Sequence, residues 1–214
     1  MNKNFFKRIL SSLIIVPIVF FLILKGSFFF NIFILFILSV TLYEWHNLSF
    51  KRFYYIPGFI FIFFSFYTFY YLRHEGDFIF FLLILLTCIS TDIGGYIFGK
   101  ILRGPKLTKI SPNKTYSGMF GGFLLSIVLA DLYFNNLKYL LLAETNVEIG
   151  KQTFFIVFSI SLVSQVGDLI ISFFKRKSNV KNTGKIIPGH GGILDRIDGM
   201  IFAFPYVFML LKIV

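Results

Sequence analysis

Charge and cysteine are both scarce in this chain. Of its 214 residues only 14% are charged, and Cys88 is the sole cysteine. A lone thiol closes no internal disulfide, and no CxxC pair is present to hold zinc. A soluble domain carries about 25% charged and roughly 45–50% apolar residues. Here the apolar share is 57% and the aromatic share 21%. A chain of this size cannot hide that much apolar surface in a core of its own, so bilayer must cover much of it. This excludes a soluble enzyme, a disordered protein and a disulfide-built secreted domain. Acids are scarcer than bases: Asp and Glu number 10 against 21 Lys and Arg, for a formal net charge of +11. On a soluble protein that excess would suggest nucleic acid. On a membrane protein it reads as cytoplasmic loops rich in Lys and Arg. Alanine is nearly missing while Phe reaches 32, a compositional bias in which Phe serves as lipid-facing filler.

Uncharged stretches predict the helices. Ile9–Leu24, Gly26–Tyr43 and Phe53–Leu72 hold no charge. Phe78–Gly99, Thr115–Leu137 and Gln152–Phe174 hold one acid each, Asp92, Asp131 and Asp168, and a last stretch runs from about Asp198 to Leu211. Each of the first six is near the roughly 20 residues that cross hydrocarbon. The expected fold is all-α, a polytopic helical bundle of about seven transmembrane helices, with a tight hairpin at Gly26. The basic start (Lys3, Lys7, Arg8) resembles a signal peptide, but its apolar run is long and no small-x-small site follows, so a retained helix is expected. With the N-terminus in the cytoplasm, 16 Lys and Arg fall on the inner side; Lys25, Arg73, Lys138, Lys151 and Lys212 make 5 on the outer. That asymmetry sets the orientation. It makes Lys100–Lys114 and Lys175–Arg196 the long inner loops, where cytosolic solutes can be met.

The first three stretches lack acids, whereas later ones carry them at membrane depth, where an ionised Asp costs about 2.5–3.5 kcal/mol. Residues 1–77 are therefore expected to be scaffold and 78–214 the catalytic membrane domain, with a site facing the cytoplasm. Three segments carry the chemistry. In Gln165–Arg176, a helix would place Asp168, Ser172, Lys175 and Arg176 on one face; a plain Asp–Lys pair with two topology anchors would look the same. In Lys185–Asp198, Pro188-Gly189-His190-Gly191-Gly192 cannot be regular helix, and its glycines let backbone amides approach an anion. Asp195 and Asp198, three apart, would share a helix face and suit Mg²⁺, which takes one or two carboxylates and completes its shell with water and phosphates. A solvated helix-start cluster is the plainer alternative. His190 alone is weak, and without an HxxxH or HxH partner zinc is not expected. The third segment is Ser90–Lys100 with Ser111–Gly118. Gly94, Gly95 and Gly99 permit close helix packing beside Asp92, and Asn113, Lys114 and Thr115 can meet a phosphate or nucleotide. Glu44, Trp45 and His46 read as interfacial anchors. No Walker A, Rossmann, GxSxG or HExxH pattern occurs. Acids for metal, cations for polyphosphate and apolar walls for lipid together describe a nucleotide-activated phospholipid reaction.

The segment from Ser172 to Asp198, SFFKRKSNVKNTGKIIPGHGGILDRID, resembles the signature of the phosphatidate cytidylyltransferases, the CDP-diacylglycerol synthases. Ser172, Lys175, Arg176, Lys181, His190, Gly191, Gly192, Asp195, Arg196 and Asp198 fall at that family's spacing. QVGDL around Asp168 and PNKTYSG around Asn113 extend the likeness to roughly residues 90–205. Asn182 stands where the pattern has Asp, and members usually carry more N-terminal spans. The resemblance implies that CTP and phosphatidate give CDP-diacylglycerol and pyrophosphate with Mg²⁺ as cofactor. It assigns metal to Asp168, Asp195 and Asp198, and phosphates to Lys175, Arg176, Lys185 and Arg196. Ser172, Lys181, Gly189, His190, Gly191 and Gly192, with Asp92, Asn113, Lys114 and Thr115, would line the substrates. The implied partners are CTP, phosphatidate and membrane lipids. Nucleic acid is not expected, and a homodimer is compatible. Two other readings use the same residues: a CTP-dependent polyprenol- or phytol-type kinase, and a transporter with an ion path. The clustering of the acids with Gly, Lys and Arg at helix ends argues against the transporter.

Overall fold

The computed structural model describes residues 15–140, 151–187 and 191–213. Every regular element among them is a helix. Helix α1 is described over Ile15–Lys25. It is followed by α2 (Ser27–Ser49), α3 (Tyr55–His74), α4 (Phe78–Ile101), α5 (Tyr116–Leu140), α6 (Lys151–Lys177), the short α7 (Leu194–Ile197) and α8 (Met200–Ile213). Helices α2 to α6 are 5 helices long and apolar enough to cross a membrane, while α1 and α8 are shorter apolar helices. The chain is thus a multi-pass membrane protein. The N-terminal part of the first expected span lies outside the described residues.

Local chemistry fixes the boundaries. Gly26 separates α1 from α2 at φ 65, a left-handed conformation that glycine adopts without a Cβ penalty. Asp77 caps α4 by accepting a hydrogen bond from the Ile79 amide at 2.8 Å. Thr115 caps α5 in the same way, its Oγ1 accepting from the Gly118 amide at 3.1 Å. Large apolar side chains point outward, Phe53 at 82% and Phe28 at 69% exposure, as a lipid-facing surface requires. Helix α2 corrects one expectation. It runs past Tyr43 to Ser49 and carries Glu44 inside it, so the first half does bury an acid.

The chain packs as two compact units: Met1–Tyr70 with Phe174–Ile197, and Tyr71–Phe173 with Asp198–Val214. In the first, Phe30 stacks on Phe69, and Trp45, Tyr54 and Phe174 form an aromatic cluster. Lys177 lies over the Tyr54 ring at 5.3 Å. In the second, Leu83, Ala130 and Val157 are the centre of a buried cluster. Helices α4 and α5 meet there through glycines. A Cβ on Gly118 would stand 2.7 Å from the Gly95 carbonyl oxygen, and one on Gly99 3.5 Å from the Gly118 Cα. Backbones this close are the usual basis of helix association in lipid. The expected role of Gly94, Gly95 and Gly99 is met, and their partners are Gly118 and Gly121.

Candidate functional site

Two clusters hold the candidate residues, one in each unit. In the first unit the hub is Asp195, on α7. Its Oδ1 accepts from Lys175 Nζ at 2.8 Å. Its Oδ2 accepts from the Thr183 amide at 2.9 Å and the Gly192 amide at 3.1 Å. The pair is nearly enclosed, Lys175 at 11% and Asp195 at 6% side-chain exposure. The last turn of α6 supplies the lysine, and the connection from α6 to α7 supplies the amides. Gly191 sits at φ 95, where a Cβ would come within 2.9 Å of Asp195 Oδ2 and 3.3 Å of Asn182. The glycine therefore lets the chain close over the carboxylate. Ile187 and Gly191 bridge through their backbones. Pro188, Gly189 and His190 lie outside the described residues. Lys181, Lys185 and Arg196 are exposed around the cluster, as is Arg176, whose guanidinium donates to the Val180 carbonyl at 3.3 Å.

In the second unit the hub is Asp168, on α6. Lys114 forms an ion pair with its Oδ2, and Ser172, one turn on, donates to its Oδ1 at 3.3 Å. This pair is more open, Lys114 at 27% and Asp168 at 25% exposure. Lys114 arrives from the connection between α4 and α5, which is pinned by a bridge from Lys106 to Thr115 and by the Leu107 amide donating to the Lys114 carbonyl at 2.8 Å. Asp198 approaches the same helix: a Cβ on Gly167 would lie 3.0 Å from the Asp198 carbonyl oxygen. Asp198 is buried, and its Oδ1 accepts from the Gly199 amide at 3.0 Å. Asn113 and Asp92 are exposed.

Several expectations change. Asp195 and Asp198 do not share a helix face, because α7 ends at Ile197 and Asp198 sits in the turn before α8. Helix α6 continues through Lys177, so Arg176 keeps its helical interval from Asp168 and Ser172, and it is exposed where Lys175 is buried. Thr115 is engaged in capping α5. Glu44 is no interfacial anchor. It is 1% exposed and accepts from Thr183 Oγ1 at 2.8 Å, the Ile193 amide at 3.0 Å and the Leu194 amide at 2.8 Å. Trp45, also buried, donates its indole N–H to the Tyr55 carbonyl at 3.1 Å. His46 Nδ1 lies 2.8 Å from the Tyr55 hydroxyl.

Among the described residues no three His, Cys, Asp or Glu side chains stand together, so a cage built wholly by protein is absent there. Magnesium needs only one or two carboxylates. Asp168 and Asp195 each already draw an ammonium group, which shows where a cation is favoured. Asp195 spends three of about four acceptor positions on its donors, leaving room for one more. The donor set fits magnesium.

The model of the Cytidylyltransferase family matches residues 52–214. A protein of Rickettsia bellii named phosphatidate cytidylyltransferase is 34% identical over 235 residues, covering 98% of this chain and 91% of its own. One of Rickettsia felis with the same name is 36% identical, covering 98% and 93%. One of Staphylococcus epidermidis is 42% identical over 155 residues, covering 69% of this chain and 54% of its own. The name is thus shared by relatives of similar length and by longer ones. The match takes in α3 to α8 and both aspartate hubs, and on it the chain belongs to the cytidylyltransferase family.

Proposed function

We propose that this protein transfers the cytidylyl group of CTP to phosphatidate, giving CDP-diacylglycerol and pyrophosphate in phospholipid synthesis. The observation that carries this reading is the pairing of each of two candidate carboxylates, Asp168 and Asp195, with a lysine in a chain of membrane-length apolar helices. Its relatives bear the name of that activity.

A phosphate oxygen of phosphatidate attacks the α-phosphorus of CTP, and the bond to the bridging oxygen of pyrophosphate breaks. The attacking oxygen is already anionic at neutral pH, so no covalent nucleophile is needed. The obstacle is repulsion between two anions, and positioned cations remove it. Lys175, enclosed with Asp195, presents positive charge at a fixed position, and Lys114, in the more open pair with Asp168, is able to turn toward a phosphate. Lys185, Arg176 and Arg196 are exposed and able to follow a phosphate. Asp168, with Asp198 in the turn that approaches α6, and in the other unit Asp195, are the carboxylates that would hold Mg²⁺, which when bound would supply charge neutralisation at the phosphates. The basic loops also concentrate anionic lipid, by about 1 kcal/mol per cation near the surface.

The bundle is read as having about seven spans, α1 and α8 included, with the N-terminus and the site in the cytoplasm. The charge asymmetry supports this. Cysteine labelling in a Cys88→Ala background tests it: positions 106 and 181 should react from the cytoplasm, 73 and 138 from outside. External reactivity at 181 would remove the site from CTP. The test of function gives purified protein phosphatidate, α-labelled CTP and Mg²⁺. Labelled CDP-diacylglycerol is the expected product. A phosphorylated polyprenol made from γ-labelled CTP would point to a kinase instead.

A further inference from the structure

Glu44 is the one acid in α1, α2 and α3, and it lies outside the segment that carries the signature. Its carboxylate is buried and makes no ion pair among the described residues. It is satisfied by three donors, all from the connection and helix that hold Asp195. Oε2 takes the Thr183 hydroxyl and the Leu194 amide, and Oε1 takes the Ile193 amide. Thr183 is gripped twice, its hydroxyl by Glu44 and its amide by Asp195. Gly192 gives its amide to Asp195, while its neighbour Ile193 gives its own to Glu44. Two carboxylates thus bind the same two stretches of chain, one at 183 and one at 192–194. Gly184 and Gly192 both stand so close to Glu44 that a Cβ on either would collide with its carboxylate oxygens. These two glycines are explained by the acid beneath them.

We infer that Glu44 is a positioning residue for nucleotide binding: it ties Thr183 to Ile193 and Leu194 so that the Asp195–Lys175 pair is held ready for the triphosphate. The inference rests on the CTP-dependent reading above and assigns α2 a part in it. A buried carboxylate that receives only N–H and O–H donors cannot be replaced by an amide, whose NH₂ would face those donors. Glu44→Gln therefore opens the loop while keeping the size of the side chain.

The experiment uses the full chain in detergent, with CTP and phosphatidate kinetics beside amide exchange of residues 183–194. For Glu44→Gln we expect KM for CTP to rise about tenfold or more while KM for phosphatidate stays within about twofold. Exchange in 183–194 should quicken by about tenfold or more. Thr183→Val should shift KM for CTP the same way by about threefold, and the double variant should match Glu44→Gln within about twofold, as expected of residues that share one contact. Unchanged exchange overturns the clamp. Faster exchange with unchanged KM for CTP, or an equal rise for both substrates, makes Glu44 a structural tether and overturns its positioning role. If Glu44→Gln does not fold, Glu44→Asp decides: it keeps the charge but falls one methylene short, and a wild-type KM for CTP overturns the inference. If wild-type protein makes no CDP-diacylglycerol, the functional reading is what fails. Exchange and direct binding of CTP then judge the clamp, and equal CTP affinity in wild type and variant refutes it.

Discussion

Asp195 in one unit and Asp168 in the other are each joined to a lysine, yet they are built differently. Asp195 is enclosed and fed by two backbone amides as well as Lys175. Asp168 is a quarter exposed and fed by side chains, Lys114 and Ser172. A backbone donor cannot leave without refolding its loop, whereas a lysine on a four-carbon stem swings away at little cost. The first carboxylate therefore organises chain, and the second is free to exchange its partner. One residue type carries two duties, divided by what supplies its hydrogen bonds.

The sharpest way to break this contrast is to neutralise each acid. Asp195→Asn should cost both properties: turnover below about 1% of wild type, and stability lower by about 3–5 kcal/mol, the usual result of breaking a buried pair. Thermal unfolding in detergent and the labelled-CTP assay read the two together. A variant that loses activity while keeping its melting temperature would erase the distinction. Asp168→Asn should separate them, with turnover down at least about a hundredfold and stability within about 1 kcal/mol, as for partly exposed pairs. Retention of more than about a tenth of the rate, a loss under 1.4 kcal/mol, would withdraw Asp168 as a metal ligand. The smallest effect is expected at Asn182. It is exposed beside Gly191, and its neighbour Thr183 already occupies Asp195 through the main chain. Asn182→Asp should move the half-saturating Mg²⁺ by less than about tenfold, since an exposed carboxylate there gains about 0–1 kcal/mol from nearby lysines. A larger drop would show that this position reaches metal.

Much of this was legible from spacing. The uncharged runs located the long helices, because hydrocarbon tolerates no unpaired charge. The four-residue interval from Asp168 to Ser172 placed their bond on one helix face. What spacing hid were contacts made by distant chain. Glu44 lies 139 residues from Thr183, and on α2 it has the neighbours of an ordinary boundary residue. An acid at the end of an apolar run reads as an anchor unless its donors are known, and here two of three donors are main-chain amides, which leave no mark in the sequence. Asp198 was misread for a related reason. The i, i+3 rule presumes that the helix continues, and α7 stops at Ile197. The fate of Arg176 also depended on the helix end, where the chain turns back and offers it the Val180 carbonyl.

The residue after Glu44 is the only tryptophan in the chain. Trp45 is 3% exposed, donates to the Tyr55 carbonyl and meets the Phe174 ring edge-on at 5.4 Å. Gly58 has no side chain because the indole fills that space. The protein thereby holds a native optical reporter, one position from the acid that grips the loop and against the last turns of the helix that presents Lys175. Excited at the red edge of the band, where tyrosine is silent, it gives a single-site emission free of any attached dye. Quenching or a spectral displacement on mixing with CTP would time the settling of this region in a stopped-flow instrument, before any product has formed.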